Sequence, residues 1–425
     1  MFTSIPEYHA ATKHSYYSVR SMPNRLDWDN QPWAFKSYPE NYLGIPLNLK
    51  LESHAFLYYI ASIDAKKSYP GVEYYLRINP SAGALYPNEI YFQSRNNEGI
   101  DDGIYHLNIA QNAITLLKPI KEEGIEPFLH LNKQIEGFIF LNSALYYRSA
   151  WKYKNRAFRY CLLDSGHLLG CIENSCYVHE KEYELVYDFE KKRLNTMFGF
   201  SKEEFFLSAC VVGKTTQNSV LQLQMNLENI DGTGVFERNE MIETAYQNSC
   251  EVSYKIPQYL KPQFHYQKEM FKEVMLKRRS IRGFEKRAIL KEQLHTLLSL
   301  LNQPITSDCD EQIDIYYVIN RVKGMPLGLY KNGELVIQGD FASKAGYLCL
   351  EQELGAHSAV TFFLTSTSKN YQAMYQKAGI IGHRLYLGSN YMHIGCSGIG
   401  AYYDDEVCEF INENTQVLYA LAIGH

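Results

Sequence analysis

The chain has 425 residues, 46% of them apolar, which is enough for two or three globular domains with sizeable cores. A formal net charge of −5 excludes the basic footprint of a nucleic-acid binder, and no apolar run reaches the roughly 18–20 residues of a membrane span. Nine scattered cysteines with no Cys-x-x-Cys pair exclude a disulfide framework and a zinc site, and Met1-Phe-Thr-Ser-Ile-Pro-Glu7 has no secretory character, so a cytoplasmic protein with reduced thiols and no metal is expected.

Residues 1–50 are aromatic and punctuated by Pro23, Pro32, Pro39 and Pro46, which predicts an ordered but non-repetitive arm with a short helix over His14–Val19. Leu51–Ile63 has helical spacing. In Asn79–Phe92, Pro80 fixes one backbone angle and Gly83 permits positive φ between two small residues, Ala82 and Ala84. Such a backbone admits a flat ligand at close range; read bare, it is equally a turn into the short strand Glu89–Phe92. Gly103–His106 and Ala113–Leu117 read as a hairpin or two short strands, and Gly137–Leu141 as a buried strand. Ser149–Tyr160 leads into a helix ending about Tyr177, and Phe205–Val212 is a further apolar run. From Lys214 to about Tyr266 the sequence is polar and aperiodic, which predicts a linker. Beyond it come helices over Gln267–Lys277 and 291–302, strands over Ile313–Ile319 and Ala359–Leu364, a long helix over Tyr371–Met392, a glycine-rich stretch Gly395–Tyr403 and a last strand, Val417–Ile423.

The two halves repeat one another. Gly166-His167 precedes Gly382-His383 by 216 positions, and Tyr187-Asp188 precedes Tyr403-Asp404 by the same interval. Leu207–Gly213 echoes Leu418–Gly424, and Gly103–Tyr105 echoes Gly328–Tyr330, in matching order. Two copies of one α+β unit follow from this.

Three stretches carry chemistry. Arg278, Ser280 and Arg282 alternate after a helix, and an extended segment puts all three on one face. Two guanidinium forks and a hydroxyl suit a phosphate dianion; the same residues also make a solvated basic helix end. In Gly395-Cys-Ser-Gly-Ile-Gly-Ala-Tyr-Tyr-Asp-Asp405, three glycines let backbone approach a planar ring, or form a turn into a helix capped by Asp404. Lys152-Tyr153, within Trp151–Arg156, is either a basic surface turn or a pair able to take a proton.

Ser81-Ala-Gly-Ala-Leu-Tyr-Pro87 resembles the hallmark loop of the SagB/McbC-type dehydrogenases, flavin enzymes of the FMN-dependent nitroreductase superfamily that form thiazoles and oxazoles in peptides. Arg278–Phe284 resembles the superfamily segment that grips the FMN phosphate. Gly395–Asp405 resembles the segment passing over the reactive edge of the flavin, which would put Gly400 and Ala401 near N5. Lys152-Tyr153 resembles the pair credited with proton abstraction in azoline dehydrogenases. The resemblance implies an α+β fold of two tandem nitroreductase-like domains, each a mostly antiparallel sheet flanked by helices, forming an internal pseudo-dimer. The expected limits are 1–213 for a flavin-degenerate first domain, 214–265 for a linker and 266–425 for an FMN-binding domain.

The copies diverge in opposite directions. The first has the Ser81, Ala82 and Gly83 loop but no Arg-x-Ser-x-Arg. At an offset of 216 it carries Glu182, Glu184 and Leu185 where the second has Gly398, Gly400 and Ala401. One composite FMN site per chain is therefore expected, with Lys152 and Tyr153 catalytic and Arg278, Ser280, Arg282, Gly398, Gly400, Ala401, Ser81, Ala82 and Gly83 binding the cofactor. Arg156 and Arg159 are alternative anchors for a substrate carboxylate or the flavin, His167 and His383 are structural, and His425 is the one basic residue left beyond the last strand to assist at the phosphate. The implied reaction is oxidation of an azoline in a ribosomal or carrier-bound peptide, with oxygen as acceptor and a cyclodehydratase as partner; further oligomerisation is open. The rivals are an NAD(P)H-dependent nitro- or quinone reductase and a non-catalytic peptide-docking scaffold.

Overall fold

Residues 4–21, 26–69 and 72–425 are described by the computed structural model. Met1–Thr3 and Pro23, on which parts of the reading above fall, lie outside them. The chain divides into two units. One, here the N-terminal unit, comprises Leu26–Leu260 with Thr306–Asp310; the other, the C-terminal unit, comprises the described part of Met1–Arg25 with Lys261–Ile305 and Glu311–His425.

In the N-terminal unit the strands are β1 (Gly44–Pro46), β2 (Ile63–Tyr69), β3 (Val72–Arg77), β4 (Asn88–Arg95), β5 (Gly103–Asn108), β6 (Ala113–Pro119), β7 (Lys133–Leu145), β8 (Glu184–Val186) and β9 (Glu204–Ser219). The helices are α1 (Glu52–Tyr58), α2 (Tyr147–Tyr153), α3 (Ala157–Val178), α4 (Lys191–Met197) and α5 (Glu240–Ser249). The sheet runs β1-β6-β5-β4-β7-β9-β8, antiparallel throughout. Phe138-Ile-Phe-Leu141 on β7 is fully buried, as its unbroken apolar run requires. All but one residue of α3 is buried, so this is a central helix with little solvent face.

The C-terminal unit contains α6 (Lys268–Lys277), α7 (Lys291–Leu301), β10 (Asp314–Ile319), β11 (Gly328–Lys331), β12 (Glu334–Gln338), β13 (Val360–Ser366), α8 (Tyr371–Tyr391), β14 (Gly395–Ile399), α9 (Asp404–Ile411) and β15 (Gln416–Gly424). Its sheet runs β12-β11-β10-β13-β15-β14, again antiparallel. Apart from β1, this is the order of the N-terminal sheet, strand for strand, with α8 matching α3. The repeat read from sequence is a repeat of topology.

Several local expectations change. The helix predicted over Leu51–Ile63 ends at Tyr58, because the chain then turns into the β2–β3 hairpin. The stretch 214–265, expected as a linker, holds the end of β9 and the helix α5. Gly395–Ile399, expected only as part of a glycine-rich stretch or turn, is an edge strand. Within the repeat the 216 offset also slips. Leu185 pairs with Cys210 as Gly398 pairs with Leu421, and α4 and α9 open at Lys191 and Asp404, 213 positions apart. Leu185, not Glu182, therefore matches Gly398, and Glu184 matches Ser397.

Candidate functional site

In the N-terminal unit the loop and the Lys-Tyr pair come together. Lys152 and Tyr153 close α2, which stops because Lys154 turns to φ 48°. A methyl group on Gly83, whose φ is 66°, would lie 2.8 Å from Tyr153 Oη and 3.3 Å from Lys152 Nζ. Only glycine fits both that angle and that approach. Lys152 Nζ sits 5.4 Å from the Tyr153 ring centroid, and the Tyr153 and Tyr160 centroids are 4.2 Å apart.

The loop is bent hard and pinned from beneath. Ala84 and Tyr86 also take positive φ, each at a cost of about 1–3 kcal/mol. Asp164, buried in the middle of α3, accepts the Ser81 hydroxyl at 2.6 Å and the Ala82 N–H at 3.2 Å, while Ser81 Oγ accepts the Tyr86 N–H at 2.9 Å. The Ser81 side chain is thus turned inward, and the loop reaches Lys152 and Tyr153 through Gly83. Burial pushes the Asp164 carboxyl up to about 7, against the pull of its Ser81 and Ala82 hydrogen bonds. Arg148, one turn before Lys152, donates to Tyr86 O at 2.9 Å and to Glu89 at 2.6 Å. Burial alone would raise the Glu89 carboxyl, yet Arg148 and His106 hold it well below the usual carboxylate range. Sequence reasoning missed Asp164; the signal was a carboxylate inside the apolar run Phe158–Leu169.

In the C-terminal unit α6 ends at Arg278, which is extended (φ −54°, ψ 130°). The alternation after it places Arg278 and Ser280 on one partner, Tyr386 of α8. The Arg278 guanidinium lies 5.3 Å from the Tyr386 ring centroid, and Ser280 Oγ is 2.8 Å from Tyr386 Oη. Arg278 is buried, whereas Arg282, four residues on, is exposed.

Residues 275–425 match the Nitroreductase family model. This segment is a nitroreductase-family domain. A Methanocaldococcus jannaschii protein that carries the name of a nitroreductase is 30% identical over 131 residues, which cover 30% of this chain and 62% of that relative's length. Among solved structures, one from Anabaena variabilis, also named for a nitroreductase, is 23% identical, matches with a TM-score of 0.83 and covers 100% of both chains. At that identity the likeness extends the fold, and the fold alone, to the full 425 residues.

Within the nitroreductase-family domain, the glycines have structural duties. Gly398 donates its N–H to Tyr386 Oη at 2.6 Å, and any side chain at Gly398 would collide with Tyr419 Oη. That N–H is spent inside the unit, and Tyr419 leaves no room for a side chain at Gly398. Gly400 and Ala401 follow the end of β14, where the backbone leaves the ladder. Asp404 is not the N-cap of α9; Tyr403 holds that position, and Asp404 accepts the His14 N–H at 2.8 Å. Burial, with Arg278 adding to it, holds His383 down to about 3, so a neutral imidazole stands near the Arg278 cation. The His425 carbonyl accepts the Glu285 N–H. No described helix is long and apolar enough to cross a membrane.

Proposed function

We propose that this chain is an FMN-dependent dehydrogenase that oxidises azoline rings in a peptide to azoles. The observation that carries the reading is the close approach of Gly83 to Lys152 Nζ and Tyr153 Oη, which joins the two stretches that resemble the azoline dehydrogenases. The residue types fit the cofactor: a buried Arg278 and an exposed Arg282 stand two positions to either side of Ser280 in the sequence, a set suited to a phosphate dianion. In the C-terminal unit Arg278, Ser280 and Arg282 would hold the phosphate and Gly400 and Ala401 the ring edge, with Gly398 holding Tyr386; in the N-terminal unit Ser81 shapes the loop of Ala82 and Gly83. When bound, the flavin supplies a hydride acceptor.

Aromatising an azoline removes a hydride from one ring carbon and a proton from its neighbour, and dioxygen as final acceptor leaves as hydrogen peroxide. Lys152 or Tyr153 takes the proton, which requires the neutral amine or the phenolate. Gly83 keeps the loop thin beside them. The test is turnover of a thiazoline peptide by Lys152→Ala and Tyr153→Phe with the flavin spectrum intact. Loss of turnover of about 10²-fold or more in at least one is expected; unchanged turnover in both sinks the assignment. The match of residues 275–425 to the Nitroreductase family favours a second reading, an NAD(P)H-dependent nitro- or quinone reductase. Rapid bleaching of the flavin by NADPH would select it.

A further inference from the structure

Arg148 is where the loop and α2 are joined in the N-terminal unit. Its guanidinium is buried and bonds three separate stretches of chain. Nη1 donates to the Tyr86 carbonyl, at the far end of the loop, and to Glu89 at the start of β4. Nε and Nη2 both donate to the Gly232 carbonyl, at 3.1 and 2.8 Å. The second oxygen of Glu89 lies 3.1 Å from His106 Nε2, so that acceptor is fixed in turn.

Gly232 belongs to a turn, Asp231-Gly-Thr-Gly234, in the stretch that reads in sequence as a linker. Asp231 Oδ1 accepts the Thr233 N–H at 2.8 Å and the Gly234 N–H at 3.0 Å. The Thr233 N–H and the Gly232 carbonyl belong to one planar peptide unit and point opposite ways, so holding the first aims the second. A methyl group on Gly232 would lie 2.7 Å from Leu145 Cδ1 and 3.2 Å from Arg148 Nη2, which leaves little room for a side chain. The turn is tied back to the arm by the Trp33 N–H, which donates to the Thr233 carbonyl at 2.9 Å.

We propose that Arg148, aimed by this turn, is a positioning residue for the pair that removes the proton. The claim rests on the reading that Lys152 or Tyr153 takes that proton. Lys152 follows Arg148 by one turn of the same helix, and Tyr153 by one residue more. The loop is thereby held at both ends, by Asp164 at Ser81 and Ala82 and by Arg148 at Tyr86. Gly83 lies between these anchors, against the pair. Glu89 offsets the guanidinium charge at 2.6 Å, so what the fork supplies is direction. A lysine ammonium keeps the charge but cannot serve all three acceptors from one rigid plane.

The test uses the full, flavin-loaded chain. Asp231 is exposed, so Asp231→Ala removes the cap of the turn without opening the core. Hydrogen exchange in peptides covering 79–90 and 144–156 should accelerate by about tenfold or more, with the rest of the chain unchanged. On a thiazoline peptide, kcat should fall about 10–100-fold with KM within about twofold of wild type. Asp231→Asn keeps an acceptor oxygen and should recover most of both losses, whereas Arg148→Lys should lower kcat as Asp231→Ala does. Unchanged exchange in Asp231→Ala, acceleration spread evenly over the chain, or faster local exchange with kcat intact overturns the positioning role. Full turnover by Arg148→Lys overturns it as well. A wild-type chain that turns over no thiazoline removes the azoline chemistry alone, and the exchange pattern then decides whether the turn holds the loop and α2 together.

Discussion

Asp164 occupies a position where a charge is costly, in the interior of a buried helix, and its two oxygens hold the loop that carries Gly83. A folded-state value of about 7 lies above the roughly 3.9 of a free aspartate, so the folded chain keeps this proton more tightly than the unfolded one. The contribution is greatest below about pH 4, declines as pH rises to about 7 and is level above that. Asp164→Asn, which retains one acceptor oxygen, should flatten this window. The difference in urea stability between pH 4.5 and 7.5 should shrink by about 2–4 kcal/mol relative to wild type; an identical pH slope would show that Asp164 does not titrate there. Ser81→Ala deprives both Asp164 and the Tyr86 N–H of a partner and should cost about 1–3 kcal/mol in the same assay. Gly83→Ala forces a methyl against Tyr153 Oη at a left-handed φ; turnover should fall with little change in flavin content, a split that a merely unfolded variant would not show.

At the scale of elements, Tyr386 ties three pieces together: the end of α6 through Arg278, the segment after α6 through Ser280 and the edge strand β14 through Gly398. Tyr386→Phe keeps the ring under Arg278 and removes both hydrogen bonds, so it should lower stability by about 1–3 kcal/mol while phosphate-dependent flavin retention survives. Gly398→Ala should destabilise more, and Tyr419→Phe, which removes the obstructing hydroxyl, should restore part of the loss; no rescue would mean that the glycine serves something other than Tyr419. This pairing also explains what was legible. β15 was readable because its apolar run Val417–Ile423 is unbroken, α8 because its apolar residues recur at helical spacing over a long stretch, and Arg278 and Ser280 because alternation survives in the extended segment after α6. β14 was not legible as a strand because glycine is a poor strand residue, and the bulky neighbour that leaves Gly398 no side chain lies 21 positions away. The β2–β3 hairpin escaped because Ala-Lys-Lys-Ser carries no apolar alternation. Asp164 stood in plain view but had no partner in its own stretch of sequence.

For the whole molecule, duplication preserved topology and left each copy with a different part covered. The N-terminal sheet has its β6 edge closed by β1, whose Ile45 lies opposite Ile114 and whose Pro46 has no N–H to offer a further strand. The equivalent edge in the C-terminal sheet is β12, the terminal strand of its order, and among the described residues no strand follows it there. Leu335, Val336 and Ile337 are 42%, 50% and 41% exposed, so three consecutive apolar residues stand on an open edge. Such an edge templates pairing with another chain unless charge or proline blocks it. Val336→Lys puts a charge on the most exposed of the three. Light scattering at high protein concentration or on mild heating should fall, while the denaturant midpoint moves by no more than about 0.5 kcal/mol, as expected of an exposed site. A loss of stability well beyond that would show that Val336 is packed against a surface, and unchanged scattering would show that association, where it occurs, runs through another face.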